Sequence, residues 1–426
     1  MSVLARELTG RGHRVTFMGF PDMRPRLAPD LRFAAFGERD QPLGSLEPYL
    51  ARLSRLGGPV SLYRLIRDLA AFADTICRDL PAALEREQPD ALVIDQTDAA
   101  ASLVATAMGI RFANIANALP LNLEPGVPPP VLPWPYDPSP KGIRRNRGGY
   151  RVARLVERPI TKVIRRHAER LGRPDIRYAD ESWSELAQIT QCVRGLDFPR
   201  ERLPINFHYV GPIRGAEEPL DFELPEEGKP LLFCSLGTLQ GSRAGLFRAV
   251  AEAATTLDVT LLIAHGGLLP EREIARLPGR PIVRPYVPQR AVLARSSLAI
   301  THAGFNTVMD ALSYGVPMVA LPITFEQPAT GARLERVGAA RVLQRRRTSA
   351  RIAAAIEEVL GDPAFRNNAR KLQTEIAGAG GVRRVADILE ARLIGASAFA
   401  PARREGATTA HAARDDARDD SQSGSS

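Results

Sequence analysis

The chain is predicted to be an α/β protein built from two Rossmann-like domains that face one cleft. Three observations lead there. Its 426 residues exceed what one hydrophobic core usually organises. Two separate series of short apolar strands alternate with helical segments. An acidic, proline-bearing stretch from Glu217 to Lys229 divides the two series. The expected organisation is an N-terminal domain over residues 1–210, a linker over 211–229, a C-terminal domain over 230–396 and a disordered tail over 397–426.

The first series opens inside a helix, with Leu4 and Leu8 at i, i+4 spacing and no strand or capping residue before them. Gly12 and His13 turn the chain into VTFMGF (Val15 to Phe20), a strand that Pro21 closes. Helical periodicity runs from Pro59 to Glu87 through Leu62, Ile66, Leu69, Phe72, Ile76 and Leu80. After the break at Pro89-Asp90, ALVID (Ala91 to Asp95) reads as a buried strand, Ala99 to Met108 as a helix and RFANIAN as another strand. Leu119 to Pro140 is proline-rich around Trp134 and Tyr136, and an ordered loop of that length is usually functional. Basic helices follow at residues 150–172, then the strand ITQCV (Ile189 to Val193).

The second series contains the strand and turn LLFCSLGT (Leu231 to Thr238), a helix from Arg243 to Thr256, and the strands VTLLIAHG and PIVRPYVPQ. SLAITHAG is a strand and turn that leads into a helix at Asn306 to Tyr314. MVALP is the next strand, and Gln327 to Val337 the next helix. Beyond about Ser397 the chain is Ala, Arg, Asp and Ser without apolar periodicity.

Composition excludes several classes. Cys77, Cys192 and Cys234 are odd in number and far apart, with no metal-ligand spacing, so reduced thiols and no structural metal are expected. No apolar run is long enough to span a bilayer, and the expected compartment is the cytoplasm. The net charge of +9 is concentrated in Lys141 to Arg173, which holds twelve Lys or Arg against Glu157 and Glu169. That segment is either a solvated basic face or a region of peripheral contact with the inner face of an anionic membrane. Nucleic acid is not expected as a partner.

The chemistry is carried by the strand LAIT and its continuation HAGFNTVMDAL. Open α/β sheets bind ligands at the carboxyl ends of their strands, where helix N-termini present free N–H groups to an anion, so a diphosphate belongs there. Gly304 lets the backbone approach phosphate oxygens, while His302, Asn306 and Thr307 add hydrogen bonds. Asp310 lies four residues after Asn306 on one helix face, where its carboxylate can accept from ribose hydroxyls. Glu326 and Gln327 sit after the next strand and suit the hydroxyls of a sugar.

Tyr286-Val287-Pro288-Gln289, His302-Ala303-Gly304-Phe305-Asn306-Thr307, Asp310, Gly315, Pro317, Pro322 and Glu326-Gln327 resemble, in order and spacing, the signature segment of the UDP-glycosyltransferase family. The resemblance implies the two-domain fold known as GT-B, inverting transfer of a hexose from a UDP-sugar, and no metal or other cofactor. It implies that His302, Asn306 and Thr307 hold the diphosphate, Asp310 the ribose, and Glu326 with Gln327 the hexose. Tyr286 would flank the uracil, with Val287 beside it and Gln289 on the nucleoside. Ser235, Gly237 and Thr238 match the turn on the phosphate side. Where the family usually has Glu this chain has Asp310, one methylene shorter.

Outside that segment, DQTDAA and NALPLNLEPGVPPPVLPW make the chain similar to bacterial carotenoid glucosyltransferases, which implies a hydrophobic hydroxylated acceptor such as zeaxanthin. The alternatives are a macrolide- or flavonoid-type glucosyltransferase and a UDP-sugar-binding protein without catalysis. Inverting transfer needs a general base, a histidine in the family, oriented by an aspartate that Asp95 matches. The histidine itself has no counterpart here; His13 precedes its strand and so lies at the edge opposite the cleft. The family's first strand and the base-bearing loop after it are therefore expected upstream of Met1, in a segment on the order of 10–20 residues.

Overall fold

The computed structural model describes residues 1–54, 58–216, 219–220, 222–224 and 228–395. The expected tail at 397–426 and parts of the expected linker lie outside these. In the N-terminal half, β1 (Thr16–Gly19) and β2 (Arg32–Ala35) form a parallel pair. A parallel sheet in the order β3-β4-β5-β6 is made by β3 (Ala91–Asp95), β4 (Arg111–Ala116), β5 (Gln188–Thr190) and β6 (Phe207–Tyr209).

Among the described residues β1 pairs only with β2, and β3 only with β4. Each keeps one edge of unpaired ladder groups, which a central position in a sheet does not tolerate. Yet both pieces belong to one layer: Met18 and Phe20 share a hydrophobic cluster with Phe36, Leu80, Ile94 and Phe112, beneath the helix Gly58–Glu87. Val93, in the middle of β3, is 38% exposed where a doubly wound sheet would cover it.

The C-terminal sheet is fully parallel, in the order β12-β11-β10-β7-β8-β9. Its strands are β7 (Leu231–Ser235), β8 (Thr260–Ala264), β9 (Ile282–Arg284), β10 (Leu298–Thr301), β11 (Met318–Ala320) and β12 (Ala340–Val342). The chain leaves β7 toward β8 and β9 but leaves β10 toward β11 and β12. Connections therefore depart in opposite directions from two adjacent strands, whose last paired residues are Ser235 and Thr301. A crevice opens at such a switch point because no crossover covers it.

Several elements differ from expectation. The basic segment is two helices, Pro140–Val156 and Arg158–Arg170, and the first begins ten residues before the sequence suggested. Ser139 caps it by accepting from the Gly142 N–H, and Pro140 occupies the first helical position, where no N–H is needed. ITQCV pairs only through Thr190, after which the chain turns. The helix Gly381–Leu389 follows the C-terminal sheet in sequence but packs on Ser2–Gly10, with Val385, Ile388 and Leu389 in one cluster with Leu4, Leu8, Ile115 and Ile189. His13, on that side, bonds Glu390 at 3.0 Å. Cys77, Cys192 and Cys234 are buried and unpaired, and burial pushes the Cys77 and Cys234 thiols up to about 12.

The two halves are joined through a continuous core in which Leu119, Cys192, Val193 and Leu196 pack with Phe233, Val308, Leu334 and Leu372. Inside it Asp197 accepts from Arg333 Nε at 2.9 Å and from Arg200 Nε at 3.0 Å. Tyr209 donates its hydroxyl to the same carboxylate at 2.9 Å. Arg333 belongs to the helix Gln327–Val337, is 0% exposed and lies over the Phe198 ring. Burial would raise the Asp197 carboxyl, but the Arg333 and Arg200 charges overcome it and hold it below the usual carboxylate range.

Removing one partner of such a cluster strands charge in a dry core, typically a loss of about 3–5 kcal/mol. Asp197→Ala is expected to lower stability by that amount in urea unfolding, whereas a loss under about 1 kcal/mol would show that the cluster contributes little. Because the Asp197 pKa is depressed, its contribution is present above the ordinary carboxylate range and is lost as the pH falls through the lowered value.

Candidate active site

A cleft of about 390 Å³ opens at the switch point, between the C-terminal sheet and the N-terminal Asn117-Ala118. Of the expected donor residues, Ser235, Gly237, Thr238, Tyr286, Val287, Gln289, His302, Gly304, Asn306, Thr307, Glu326 and Gln327 all border it. They come from four strand-to-helix turns, which is why residues spread over almost a hundred positions meet in one place.

The turn after β10 is tightly constrained. Ala303 holds φ +62°, a left-handed conformation that a Cβ makes unfavourable. His302 is buried, and its ring lies so close to two glycines that a Cβ would stand 2.3 Å from its Nε2 at Gly304 and 2.9 Å at Gly237. The helix Phe305–Ser313 then starts with Gly304 as N-cap and no N-cap side chain; its Phe305 N–H meets the Glu326 carboxylate, and the N–H groups that follow in the first turn are without a side-chain cap. Burial pushes His302 down to about 4, so the ring is neutral at neutral pH and offers one N–H rather than a charge.

On the nucleoside side, Tyr286 donates its hydroxyl to Gly266 O at 2.9 Å, and the ring is 67% exposed as a flat platform at the rim. At the other end, Gln327 accepts from the Ile323 and Thr324 N–H groups through Oε1, both at 2.9 Å. Glu326 caps the same helix after Phe325, whose φ is +56°. Burial raises the Glu326 carboxyl.

Asp310 lies one helical turn behind Asn306 and does not border the cleft. Its two oxygens accept from Arg214 Nε and from Gln289 Nε2, each at 2.7 Å. Each carboxylate oxygen keeps a second lone pair beside these partners.

Asp95 ends β3 and likewise stands back from the cleft wall. It accepts from the Thr97 N–H at 2.8 Å and from Asn117 Nδ2 at 2.5 Å. Its neighbour Asp98 caps the helix Ala99–Ala107, and burial pushes that carboxyl up to about 6.

Asn117 is the link that sequence reasoning missed. It accepts from Gln191 Nε2 at 2.8 Å, Gln191 accepts from Arg214 Nη1 at 3.1 Å, and Arg214 also bonds Asn306 Oδ1 at 3.0 Å. A polar chain therefore runs from Asp95 through Asn117, Gln191 and Arg214 to Asp310. NALPLNLEPG begins at Asn117, so part of the signal was in view; nothing local marks Gln191 or Arg214. Among the described residues, no group of three or more His, Cys, Asp or Glu is placed to hold a metal ion.

A parallel α/β sheet with a polar cleft at its switch point, set against a second α/β half, is an architecture suited to an enzyme that binds a nucleotide. A profile of the family described as UDP-glucoronosyl and UDP-glucosyl transferase matches residues 149–376, and the chain belongs to that family. The zeaxanthin glucosyltransferase of Pantoea ananas is 37% identical over 394 residues, which cover 91% of each chain. That of Pseudescherichia vulneris is 37% identical over 403 residues, 93% of this chain and 95% of the relative. The fold is similar to that of the calicheamicin glycosyltransferase CalG4, with TM-score 0.73, 24% identity, and 94% and 95% of the two chains covered. It is also similar to the kitacinnamycin glycosyltransferase, with TM-score 0.72, 24% identity, and 92% and 95% covered. The protein is a UDP-glycosyltransferase with the two-domain GT-B architecture expected from sequence.

Because the folded state binds the His302 proton less tightly than the unfolded chain does, stability is expected to fall as the pH drops from about 6.5 to about 4. His302→Gln should flatten thermal stability across that window and weaken UDP binding in calorimetry. An unchanged pH slope would contradict the burial account.

Proposed function

We propose that this enzyme transfers glucose from UDP-glucose to a terminal hydroxyl of a carotenoid such as zeaxanthin, with inversion at the anomeric carbon. The observation that carries this reading is full-length similarity, at 37% identity, to two zeaxanthin glucosyltransferases. The donor side follows from the cleft. The first-turn N–H groups after Phe305 in the helix Phe305–Ser313, with His302, Asn306, Thr307 and the Ser235-Gly237-Thr238 turn, hold the diphosphate and stabilise charge on the departing UDP. Asp310, kept in place by Arg214 and Gln289, accepts from the ribose, Tyr286 flanks the uracil with Val287, and Glu326 with Gln327 orients the hexose.

On the acceptor side, the base that takes the hydroxyl proton is proposed to be a histidine upstream of Met1, in the loop after a strand seated between β1 and β3. The unpaired edges of those strands support this place for it. Asp95, at the carboxyl end of β3, is positioned to orient the histidine and to stabilise its protonated form.

Mass spectrometry of products from UDP-glucose and zeaxanthin tests the reading, using the chain extended upstream and the chain from Met1. Hexosylated zeaxanthin from the extended protein, with turnover at least about 100-fold lower from Met1, is expected for loss of a general base. Hexosylation of a macrolide or flavonoid but not of the carotenoid would overturn the acceptor assignment. Equal turnover by both forms would overturn the placement of the base.

A further inference from the structure

We propose that the outer face of the helix pair Pro140–Val156 and Arg158–Arg170 docks on an anionic lipid surface. Lys141, Arg144, Arg147 and Arg151 are exposed along the first helix, and Arg158, Lys162, Arg165 and Arg170 along the second. None of these eight has an ion-pair partner among the described residues. By contrast, Arg6, Arg11, Arg26, Arg52, Arg78, Arg154 and Arg173 are each paired with a carboxylate. Other exposed arginines, such as Arg14, Arg39, Arg64 and Arg86, also lack a carboxylate partner, but Lys141 to Arg173 is where basic residues are densest, twelve against Glu157 and Glu169. A groove of about 700 Å³, lined by Arg158, Lys162, Arg165, Arg166 and Glu169, gives a phosphate-bearing headgroup room between these side chains. Arg166 is partly occupied by Asp74 and Glu169 opposes an anion, so Arg158, Lys162 and Arg165 carry the attraction.

The occupant is fixed by what lies among the cations. Where the two helices meet, Val152 and Leu155 are 61% and 64% exposed, with Val156 beside them, between Arg151 and Arg158. Glu157, exposed between Val156 and Arg158, opposes an anionic surface, but the cations around these aliphatic side chains outnumber it, and such a patch suits a headgroup boundary where the apolar tips enter the acyl region while the cations meet lipid phosphates. A nucleic-acid backbone would leave those aliphatic tips in water. No described helix is long and apolar enough to cross a membrane, so contact through this face is peripheral.

The inner face of the first helix is bolted to the proline-rich loop. Asn146 donates to Pro125 O at 3.1 Å and Tyr150 to Val127 O at 2.8 Å, while Arg145 lies over the Trp134 ring. That loop follows directly on Asn117-Ala118, which border the cleft, so the docking face and the cleft wall are joined by one continuous segment. The purpose assigned to docking, delivery of a membrane-dissolved acceptor, rests on the carotenoid reading. The docking itself does not.

The test is co-sedimentation of the full chain with vesicles of phosphatidylcholine alone or with phosphatidylglycerol, at low and high salt. Each basic residue near an anionic surface is worth about fivefold in partitioning. Arg147→Glu/Arg151→Glu/Arg158→Glu is therefore expected to weaken binding to the anionic vesicles at least tenfold, and Val152→Asp/Leu155→Asp to weaken it at moderate salt too. Unfolding curves check that both variants remain folded. For an active upstream-extended chain, turnover of acceptor in anionic vesicles should fall in the charge-reversal variant while turnover in detergent micelles is retained. Equal binding to both vesicle types, no vesicle binding, or tighter salt-sensitive binding to duplex DNA would overturn the proposal. Vesicle binding without carotenoid turnover would leave docking standing and overturn only the acceptor.

Discussion

The structure depends first on one buried carboxylate. Asp197 sits in the loop between β5 and β6 of the N-terminal half, yet its partner Arg333 lies on the C-terminal helix that begins with Gln327. Arg200, its second partner, also donates to the Asn122 carbonyl of the proline-rich loop at 2.7 Å. One charge cluster thus fixes the helix that begins at Gln327, at one end of the cleft, relative to the proline-rich loop. Transfer demands that alignment, because reacting atoms must meet within about 3–3.5 Å. A dry ion cluster suits the role: its geometry is specific, and loss of any member leaves an uncompensated charge.

Behind the cleft wall, the chain Asp95-Asn117-Gln191-Arg214-Asp310 makes a second, more exposed crossing of the domain boundary. It connects the carboxylate assigned to the base with the carboxylate assigned to the ribose, through two amide side chains and a guanidinium. The strained Ala303 and Phe325 stand in two of the turns that border the cleft, after β10 and β11. Backbone of that kind persists where surrounding packing over-determines it, which accords with rigid placement of donors around a polar substrate.

The donor cleft was legible in the sequence because its parts are local. A strand, a glycine turn and a helix N-terminus write His302, Gly304, Asn306 and Thr307 into six consecutive positions, and the switch point then gathers four such turns. Arg214, Gln191 and Arg333 were not legible, because each acquires its role from a partner far away in sequence. The helix at Pro140 was hidden by a proline that reads as loop until Ser139 is seen to cap it. The return of Gly381–Leu389 to the N-terminal core leaves no local mark either, since an amphipathic helix does not name the sheet it covers. That β1 and β3 do not pair with each other was anticipated, because a doubly wound order sets another strand between them.

The account turns on the cleft being a UDP-sugar site with the roles assigned above. A crystal structure of the protein with UDP-glucose measures this most directly. The account predicts the diphosphate on the N-terminal turn of Phe305–Ser313 beside His302, the ribose on Asp310 with Arg214 still bonded to that carboxylate, the uracil against Tyr286 and the glucose on Glu326 and Gln327. A nucleotide bound in another orientation, or glucose remote from Glu326 and Gln327, would contradict it.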